Sequence, residues 1–344
     1  VDYTGAQSND SQSRNYSLEE YCTDIVDTLK NTLDEYDIKH PTIVTESGRA
    51  TVAYSSILLF NVLDVTKFEP IELPQIGDDE HQLLQDMREV LACLTLVKAQ
   101  ECYNDAHFYR DEIRELFKRG QVDLRTRSAA ENLFLEILQQ INKNLELMEH
   151  IPVDLEGLKE SLADIYYGNF SLFQSLPDIW AIDQLFPIMP IHRLEEEPTR
   201  NAIIADITCD CDGKIDKFIG QHEVSNTLPL HEMKDNEEYY MGVFLVGAYQ
   251  ETLGDLHNLF GDTNVVSVRL NEDSTFDFVK EIHGDTIADV LSYVEYQPKE
   301  MALRYRNTAE RAVKEGRITA RERQLMLKTY NASMQGYTYY ERDE

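Results

Sequence analysis

The sequence predicts a chain of mixed fold class: an α/β segment, then a helical bundle, an all-β domain and a small C-terminal helical unit. Three patterns predict this order. A short β-branched run lies between two helical patterns near the start, residues 80–164 carry long helical stripes with few Gly or Pro, and residues 166–298 contain short β-rich runs separated by turn residues. Helical periodicity returns from Pro298.

The composition is that of a globular protein with a strongly acidic surface. The 344 residues are 42% hydrophobic and 10% aromatic, enough for two or three domains. Sixty-three acidic against 32 basic residues give a net charge of -31, which disfavours nucleic acid and anionic membrane surfaces as partners. The acidic excess fits a solvated surface, and it would also attract a cationic substrate. No stretch approaches the 18 apolar residues of a membrane span.

Cysteine usage predicts a reducing compartment, and we expect a cytoplasmic protein. The five cysteines are an odd number in a long chain and do not suggest a disulfide framework. The sequence starts at Val1 without an initiator Met, so we expect that a segment precedes it.

The α/β segment is predicted from one capping box and two changes of pattern. Ser17 and Glu20 have capping-box spacing, and the apolar residues that follow recur at helical intervals as far as Leu33. A β-branched strand is expected at Thr42–Thr45, and a second helix from Ala50 to about Leu63.

The helical bundle is predicted from two apolar stripes. Their spacing is helical, and their acidic and amide neighbours form a solvated outer face. We interpret both as core stripes; they contain Leu83, Leu84, Met87, Val90, Leu91 and Leu94, and Leu133, Phe134, Ile137, Leu138, Ile141, Leu145 and Met148.

The β domain is predicted from short runs rich in β-branched and aromatic residues. They are bounded by turn residues such as Asp212-Gly213, and they cover Ala202–Thr208, Met241–Ala248, Val265–Leu270 and Thr275–Lys280. Helix is expected again from Pro298 to about Gln335.

Three short strings suggest a phosphate-bearing aromatic cofactor. The first is Glu46-Ser47-Gly48-Arg49, where the predicted strand gives way to a helix. Such a turn can aim the backbone N–H groups of Gly48 and Arg49 at a phosphate, and the guanidinium adds attraction. A carboxylate at Glu46 beside a pyridine nitrogen would keep that nitrogen protonated. An ordinary helix start is the alternative interpretation.

The other two strings lie far along the chain. They are Thr208-Cys209-Asp210-Cys211-Asp212-Gly213 and Gly247-Ala248-Tyr249-Gln250. Taken singly, the Cys-x-Cys pair is open to a chance interpretation, and Gly-Ala-Tyr to simple packing. A metal site is the other interpretation of the Cys-x-Cys pair, but no second cysteine pair lies nearby at zinc spacing, so we discount a metal site.

The chain resembles the C-terminal half of the biosynthetic, pyridoxal-phosphate-dependent arginine decarboxylases of bacteria. That family belongs with the ornithine and diaminopimelate decarboxylases and shares the alanine racemase fold. The resemblance runs from Val1 to Glu344 and is carried by the strings Val1–Tyr3, Val44–Arg49, Asn169–Ser175, Asp206–Asp210, Val246–Glu251, His257–Asp262 and Gly336–Tyr339. The strings at Asn169 and His257 point to the arginine enzyme within the wider group.

The resemblance implies pyridoxal 5′-phosphate as cofactor and gives roles to five residues. Glu46 would pair with the pyridine nitrogen, Gly48 and Arg49 would bind the phosphate, and Tyr249 would donate its hydroxyl to the same phosphate. Cys209 matches the group that returns a proton to Cα after CO₂ leaves. A thiol suits this task because its pKa lies near neutrality.

The resemblance also implies that Asp210 meets the distal cation of the substrate, L-arginine, in the active site of a neighbouring subunit. A carboxylate suits a planar guanidinium. Some ornithine-specific relatives use a second carboxylate near Phe170, which is not acidic here, so the selectivity determinants stay open. Cys211 and Asp212 are expected to shape the turn at Gly213, and His257 is expected to be a hydrogen-bonding anchor.

The implied organisation places the end of a (β/α)8 cofactor-binding barrel at residues 1–65. A linker and inserted helical bundle follow at 66–165, a β-sandwich or barrel-like domain at 166–298, and a helical unit at 299–344. The family implies a homodimer with shared active sites, assembled into a tetramer, and a need for Mg²⁺. No residue shows ligand spacing for magnesium, so the metal ligands stay unknown.

No lysine in this sequence matches the Schiff-base lysine of the family. That lysine would belong to an N-terminal half of the same enzyme, so we expect the chain alone to be inactive. The complete enzyme would convert L-arginine to agmatine and CO₂ in polyamine biosynthesis. The alternative is a catalytically silent relative that binds and regulates a partner, but retention of the five residues with chemical roles speaks against it.

Overall fold

The computed structural model describes residues 2–4, 14, 16–71, 80–145, 147–148, 150–220, 223–234 and 237–341. Val1, residues 72–79 of the predicted linker and residues 342–344 of the predicted C-terminal unit lie outside the described residues. The α-helices are α1 (Leu18–Glu35), α2 (Gly48–Val52), α3 (Gln82–Cys93), α4 (Ala99–Lys118), α5 (Leu124–Leu145), α6 (Leu158–Ser161), α7 (Leu172–Ser175), α8 (Pro177–Ile182), α9 (Ile287–Tyr293), α10 (Pro298–Lys314) and α11 (Ala320–Met334). The strands are β1 (Leu58–Thr66), β2 (Asp164–Gly168), β3 (Ile188–Pro190), β4 (Arg200–Ala205), β5 (Lys214–Ile215), β6 (Phe218–Ile219), β7 (Val224–Ser225), β8 (Leu228–Leu230), β9 (Tyr240–Val243), β10 (Val265–Leu270) and β11 (Phe276–Ile282).

The first helix begins where the capping box predicted. The Glu20 N–H donates to Ser17 Oγ at 3.1 Å, and the Ser17 N–H donates to Glu20 Oε2 at 2.7 Å. The same two-way cap starts α9 at Thr286 and α11 at Thr319. No side chain of α1, all of whose residues are described, is buried.

Two predicted elements near the start are wrong. Residues 42–45 form no strand, because none of the described strands lies beside them to accept their backbone hydrogen bonds. In place of the predicted helix from Ala50 to Leu63, α2 ends at Val52, a 3-10 turn covers Ala53–Ser55, and β1 begins at Leu58. Alternate side chains of β1 are buried, including Phe60 and Val62, because pairing with two neighbouring strands outweighs the local helical spacing.

The main sheet has seven strands in the order β3-β9-β1-β2-β4-β5, with β8 also paired to β4. Strands β2 and β4 are parallel, with Asp164 opposite Ala202, so their C-terminal ends lie at the same edge. The string at Asn169 follows β2, and the string at Cys209 follows β4. The sheet therefore brings these two distant strings together.

The helical bundle connects β1 to β2, which are antiparallel neighbours in the sheet. It packs α3, α4 and α5 around a separate core, and both predicted stripes contribute to that core. Met87, Leu133, Ile137 and Ile141 are completely buried there. The predicted bundle is confirmed, and so is the mixed fold class.

The β-rich region is also confirmed, with differences in detail. The predicted strand Met241–Ala248 ends at Val243, because Leu245 and Tyr249 have left-handed φ angles of 65° and 68°. Strands β10 and β11 form a separate hairpin, and the short helices α7, α8 and α9 lie within the region. Helices α10 and α11 form the expected C-terminal unit. The bounds of the four predicted segments stay predictions.

The bundle core predicts the effect of truncating one leucine. Leu133 is completely buried, whereas Leu124 in the same helix is 67% exposed. We expect Leu133→Ala to lower the free energy of unfolding by about 2–5 kcal/mol, because it leaves a cavity in a packed core. The matched variant Leu124→Ala should change it by less than about 0.5 kcal/mol. Urea unfolding of both variants checks this, and equal losses would show that this stripe is not the core.

Candidate active site

The first string lies in an exposed turn that leads into α2. The helix begins at Gly48, the Thr51 N–H donates to the Ser47 carbonyl oxygen at 3.0 Å, and Ser47 Oγ contacts Thr45 Oγ1. Glu46 is exposed in the loop just before it. The turn therefore starts a helix as the sequence predicted, with the N–H groups of its first residues at the exposed end.

Arg49 is held by two side chains from other parts of the chain. Its Nη2 donates to Asp178 Oδ2 at 2.8 Å, and its Nη1 donates to the Tyr3 hydroxyl at 3.3 Å. Burial alone would lower the pKa of Arg49, but the bonds to Asp178 and Tyr3 raise it, so the guanidinium stays charged. Its side chain is 31% exposed, which leaves room for a ligand.

Tyr249 lies over the same turn. The Arg49 Cζ atom is 4.9 Å from the centre of its ring, within cation–π distance. A Cβ atom added at Gly48 would lie 2.9 Å from the Tyr249 hydroxyl oxygen, so this hydroxyl lies directly against the turn. A glycine is needed at Gly247, because a Cβ atom there would overlap the Val52 carbonyl oxygen. Gly48 and Arg49 thus meet Tyr249, which lies about 200 residues further along the chain.

The second string forms a loop that is anchored by a buried carboxylate. Asp206 is 3% exposed and accepts hydrogen bonds from the N–H groups of Leu172 and Thr208 and from the Thr208 hydroxyl, at 2.7–2.9 Å. Burial raises the pKa of Asp206, and the three hydrogen bonds oppose that rise. A Cβ atom at Gly213 would overlap the Asp206 carboxylate, so the loop closes tightly over its anchor.

Cys209 and Asp210 face the string at His257. The Cys209 N–H donates to Asn258 Oδ1 at 3.0 Å, and Asn258 Nδ2 lies 3.5 Å from Cys209 Sγ. Asp210 Oδ2 lies 3.5 Å from His257 Nε2, and its Oδ1 accepts from the Asp212 N–H at 2.9 Å. Cys209 is exposed, so its thiol is accessible.

His257 is itself packed against the string at Asn169. Its ring centre lies 4.4 Å from that of Phe173, which belongs to the string at Asn169. His257 therefore contacts both Phe173 and Asp210. All five cysteines of the chain are free thiols.

The predicted site residues thus fall into two groups. Gly48, Arg49 and Tyr249 converge, with Glu46 in the adjoining loop, while Cys209 and Asp210 lie against the His257 string. Sequence reasoning missed the residues that hold them: Tyr3, Asp178, Asp206, Gln250 and Asn258. Four of these residues belong to the strings that carry the family resemblance, and that membership was the available signal: Tyr3, Asp206, Gln250 and Asn258.

One set of side chains has the proximity of metal ligands. Asp210, Cys211 and Asp212 each place a ligand atom within 4.8 Å of the others, at the solvent-facing side of the loop. A thiol is a poor ligand for Mg²⁺, which prefers oxygen atoms in octahedral geometry. This set does not fit Mg²⁺.

Among the described residues, no helix combines the length and hydropathy that a membrane crossing requires.

The tight loop over Asp206 predicts the effect of one added methyl group. Gly213→Ala should lower the free energy of unfolding by about 1–3 kcal/mol, because its Cβ atom has no space beside the carboxylate. Gly157→Ala is the matched control, since a Cβ atom there meets no atom of the described residues within 4 Å. We expect that control to stay within about 0.5 kcal/mol. Thermal and urea unfolding measure both, and a harmless Gly213→Ala would contradict the close packing.

Comparison with known proteins matches both helical parts of the fold. Residues 77–159 match the arginine decarboxylase helical bundle domain, and residues 287–340 match the arginine decarboxylase C-terminal helical extension. In a biosynthetic arginine decarboxylase of Bacteroides thetaiotaomicron, 343 aligned residues are 47% identical and cover 99% of this chain and 54% of that protein. A protein of the same name from Thermosynechococcus vestitus is 44% identical over 339 residues, which are 98% of this chain and 53% of that protein.

A solved structure is similar along almost the whole chain. The crystal structure of the biosynthetic arginine decarboxylase from Campylobacter jejuni matches with a TM-score of 0.79 and 31% identity, over 98% of this chain and 54% of that one. The chain spans about half the length of the relatives it matches. By these sequence and structural matches, the chain belongs to the biosynthetic arginine decarboxylase family and corresponds to the C-terminal half of its relatives.

Proposed function

We propose that this chain forms part of a pyridoxal-phosphate-dependent arginine decarboxylase, which converts L-arginine to agmatine and CO₂ in polyamine biosynthesis. The observation that carries the proposal is the convergence of Gly48, Arg49 and Tyr249 at one turn. The relatives named as arginine decarboxylases support it, because the chain aligns with them over nearly all of its length. A cytoplasmic location stays part of this proposal.

The residues at the turn fit the phosphate of the cofactor. The contacts of Arg49 with Asp178 and Tyr3 use two of the five N–H donors of a guanidinium, so donors remain for a phosphate. The Tyr249 hydroxyl lies near Gly48, the first residue of α2, where the first N–H groups of the helix have no carbonyl partner within the helix. Glu46, in the adjoining loop, would hold a proton on the pyridine nitrogen. When bound, the cofactor supplies the electron sink for the bond that loses CO₂.

Cys209 would supply the proton that Cα needs after decarboxylation. Its thiol is exposed, and Asn258 fixes its backbone N–H. A thiol can donate a proton near neutral pH, which a serine hydroxyl in its place could not do as readily. The contacts with Asn258 would keep the thiol in one position for this transfer.

Asp210 would bind the guanidinium of the substrate. The Asp212 N–H and His257 orient its carboxylate, and the Cys209 thiol is on the adjacent residue. A carboxylate pairs with a planar guanidinium through two parallel hydrogen bonds. The net charge of -31 would add long-range attraction for a cationic amino acid.

We also propose that the enzyme is a homodimer with shared active sites, and that dimers assemble into a tetramer. The supporting observation is that Cys209 and Asp210 contact the His257 string, whereas Arg49 contacts Asp178, Tyr3 and Tyr249. A loop from a second subunit would bring the two groups to one substrate. The proposed reaction assigns no role to Mg²⁺.

The direct test of the proposal is substrate preference. The full-length protein should release CO₂ from L-arginine, with agmatine as product, at a much higher kcat/KM than from L-lysine or L-ornithine. Equal or higher efficiency with either of those two would contradict the assignment. Absence of any decarboxylation, with the cofactor bound, would favour the binding-protein alternative.

Removal of the Cys209 thiol should slow turnover. We expect Cys209→Ala to reduce kcat by roughly 10² to 10⁴, the range for losing a positioned acid, and to increase the share of product protonated at the wrong atom. Cys211→Ala, two residues away, is the matched control and should leave both quantities close to wild type. Steady-state kinetics with product analysis measures them. An unchanged rate and product ratio in Cys209→Ala would mean that the thiol is not the acid.

Mixed dimers test whether Asp210 serves the neighbouring subunit. Subunits with Asp210→Ala and subunits with Arg49→Ala should each be nearly inactive alone. In a mixed dimer one site would combine the intact Arg49 of one subunit with the intact Asp210 of the other. Random mixing should therefore restore about a quarter of wild-type activity, since half of the dimers are mixed and each has one intact site. Verified mixed dimers without recovery would show that each site is built from a single subunit.

A further inference from the structure

Asp178 is a buried carboxylate at the candidate phosphate site, and no sequence motif pointed to it. Asp178 is 6% exposed. Its Oδ2 atom accepts hydrogen bonds from Arg49 Nη2 and from Gln250 Nε2, both at 2.8 Å. A carboxylate next to a phosphate site is electrostatically unfavourable for the ligand. Its presence there therefore calls for a different physical role.

Asp178 is itself fixed from two directions. It lies in the first turn of α8, directly after Pro177, whose ring sets the backbone at the helix start. The Gln250 side chain then bonds it twice: the Asp178 N–H donates to Gln250 Oε1 at 3.2 Å, and Gln250 Nε2 donates to Asp178 Oδ2. Gln250 Nε2 also donates to the Ala248 carbonyl oxygen at 2.9 Å.

These bonds link the two halves of the phosphate site. Gln250 follows Tyr249, whose hydroxyl lies at Gly48, and Asp178 holds the Arg49 guanidinium. A free arginine side chain has many rotamers, and ordering it on ligand binding costs conformational entropy. A guanidinium that is already held in one plane by a rigid carboxylate avoids much of that cost.

We propose that Asp178 is a positioning residue for the cofactor: it holds the Arg49 guanidinium in the orientation that binds the phosphate, and Gln250 aligns this pair with Tyr249. This inference rests on the proposed function, because it takes Arg49 as the phosphate ligand. Asp178 acts through Arg49 and does not itself contact the phosphate.

The test is a double-mutant cycle on cofactor affinity. Pyridoxal 5′-phosphate is titrated into the cofactor-free full-length protein, and the Kd is followed by the absorbance of the bound cofactor. We expect Asp178→Ala to raise the Kd about tenfold, a coupling typical of residues in direct contact. In an Arg49→Ala background the same substitution should not raise the Kd, because the guanidinium it positions is gone.

A second variant covers the case in which Asp178→Ala fails to fold. Asp178→Asn keeps one oxygen as acceptor, replaces the other carboxylate oxygen with an NH2 group and removes the charge, so the bond to Arg49 weakens without being lost. We expect a Kd increase of about threefold, smaller than for Asp178→Ala and again absent in the Arg49→Ala background.

Three outcomes would overturn the inference: an unchanged Kd in the variant, a Kd that falls because the carboxylate only repelled the phosphate, or an equal rise in both backgrounds. The last would show a general structural role. Wild-type protein that binds no cofactor, or an Arg49→Ala variant with wild-type affinity, would instead contradict the proposed function itself. The two failures are therefore distinguishable.

Discussion

The contact between Arg49 and Asp178 is the interaction on which the arrangement of the candidate site depends. It joins the turn at α2 to the start of α8, and through Gln250 it reaches the string that carries Tyr249. Asp178 is the more buried partner, with its side chain 9% exposed against 31% for Arg49. A carboxylate so deeply buried needs its hydrogen-bond donors, because an unpaired buried charge is strongly destabilising. The need to pair Asp178 thus fixes both phosphate-site segments at once.

A second buried carboxylate organises the loop that carries Cys209 and Asp210. Asp206 takes three hydrogen bonds from Leu172 and Thr208, and so ties the loop after β4 to the segment after β2. Because β2 and β4 are parallel neighbours, both segments leave the sheet at one edge. Each group of candidate site residues therefore depends on one acidic residue with no proposed chemical role of its own. The helical bundle has a core of its own and joins the sheet through β1 and β2.

The parts of the fold that follow from local pattern were predictable from the sequence. Residue spacing alone predicts the capping box at Ser17 and the apolar stripe through Leu133 and Ile141. Both are present in the structure. The strand β1 was missed because its apolar residues fit a helical spacing equally well, and pairing with β2 and β9 decided the outcome. The convergence of Gly48, Arg49 and Tyr249 was expected only from resemblance. Asp178 was missed because burial and pairing of an acidic residue depend on tertiary contacts that no local pattern encodes.

The most direct measurement compares pyridoxal 5′-phosphate with pyridoxal, which lacks the phosphate, as ligands of the full-length protein. Wild type should bind the phosphorylated compound more tightly by on the order of 10² or more, through the charge-assisted bonds of Arg49 and its neighbours. Arg49→Ala should lose most of that preference, while Arg193→Ala, which removes another ion-paired arginine at Glu196, should keep it. An Arg49→Ala variant that still prefers the phosphorylated compound as strongly as wild type would contradict the account.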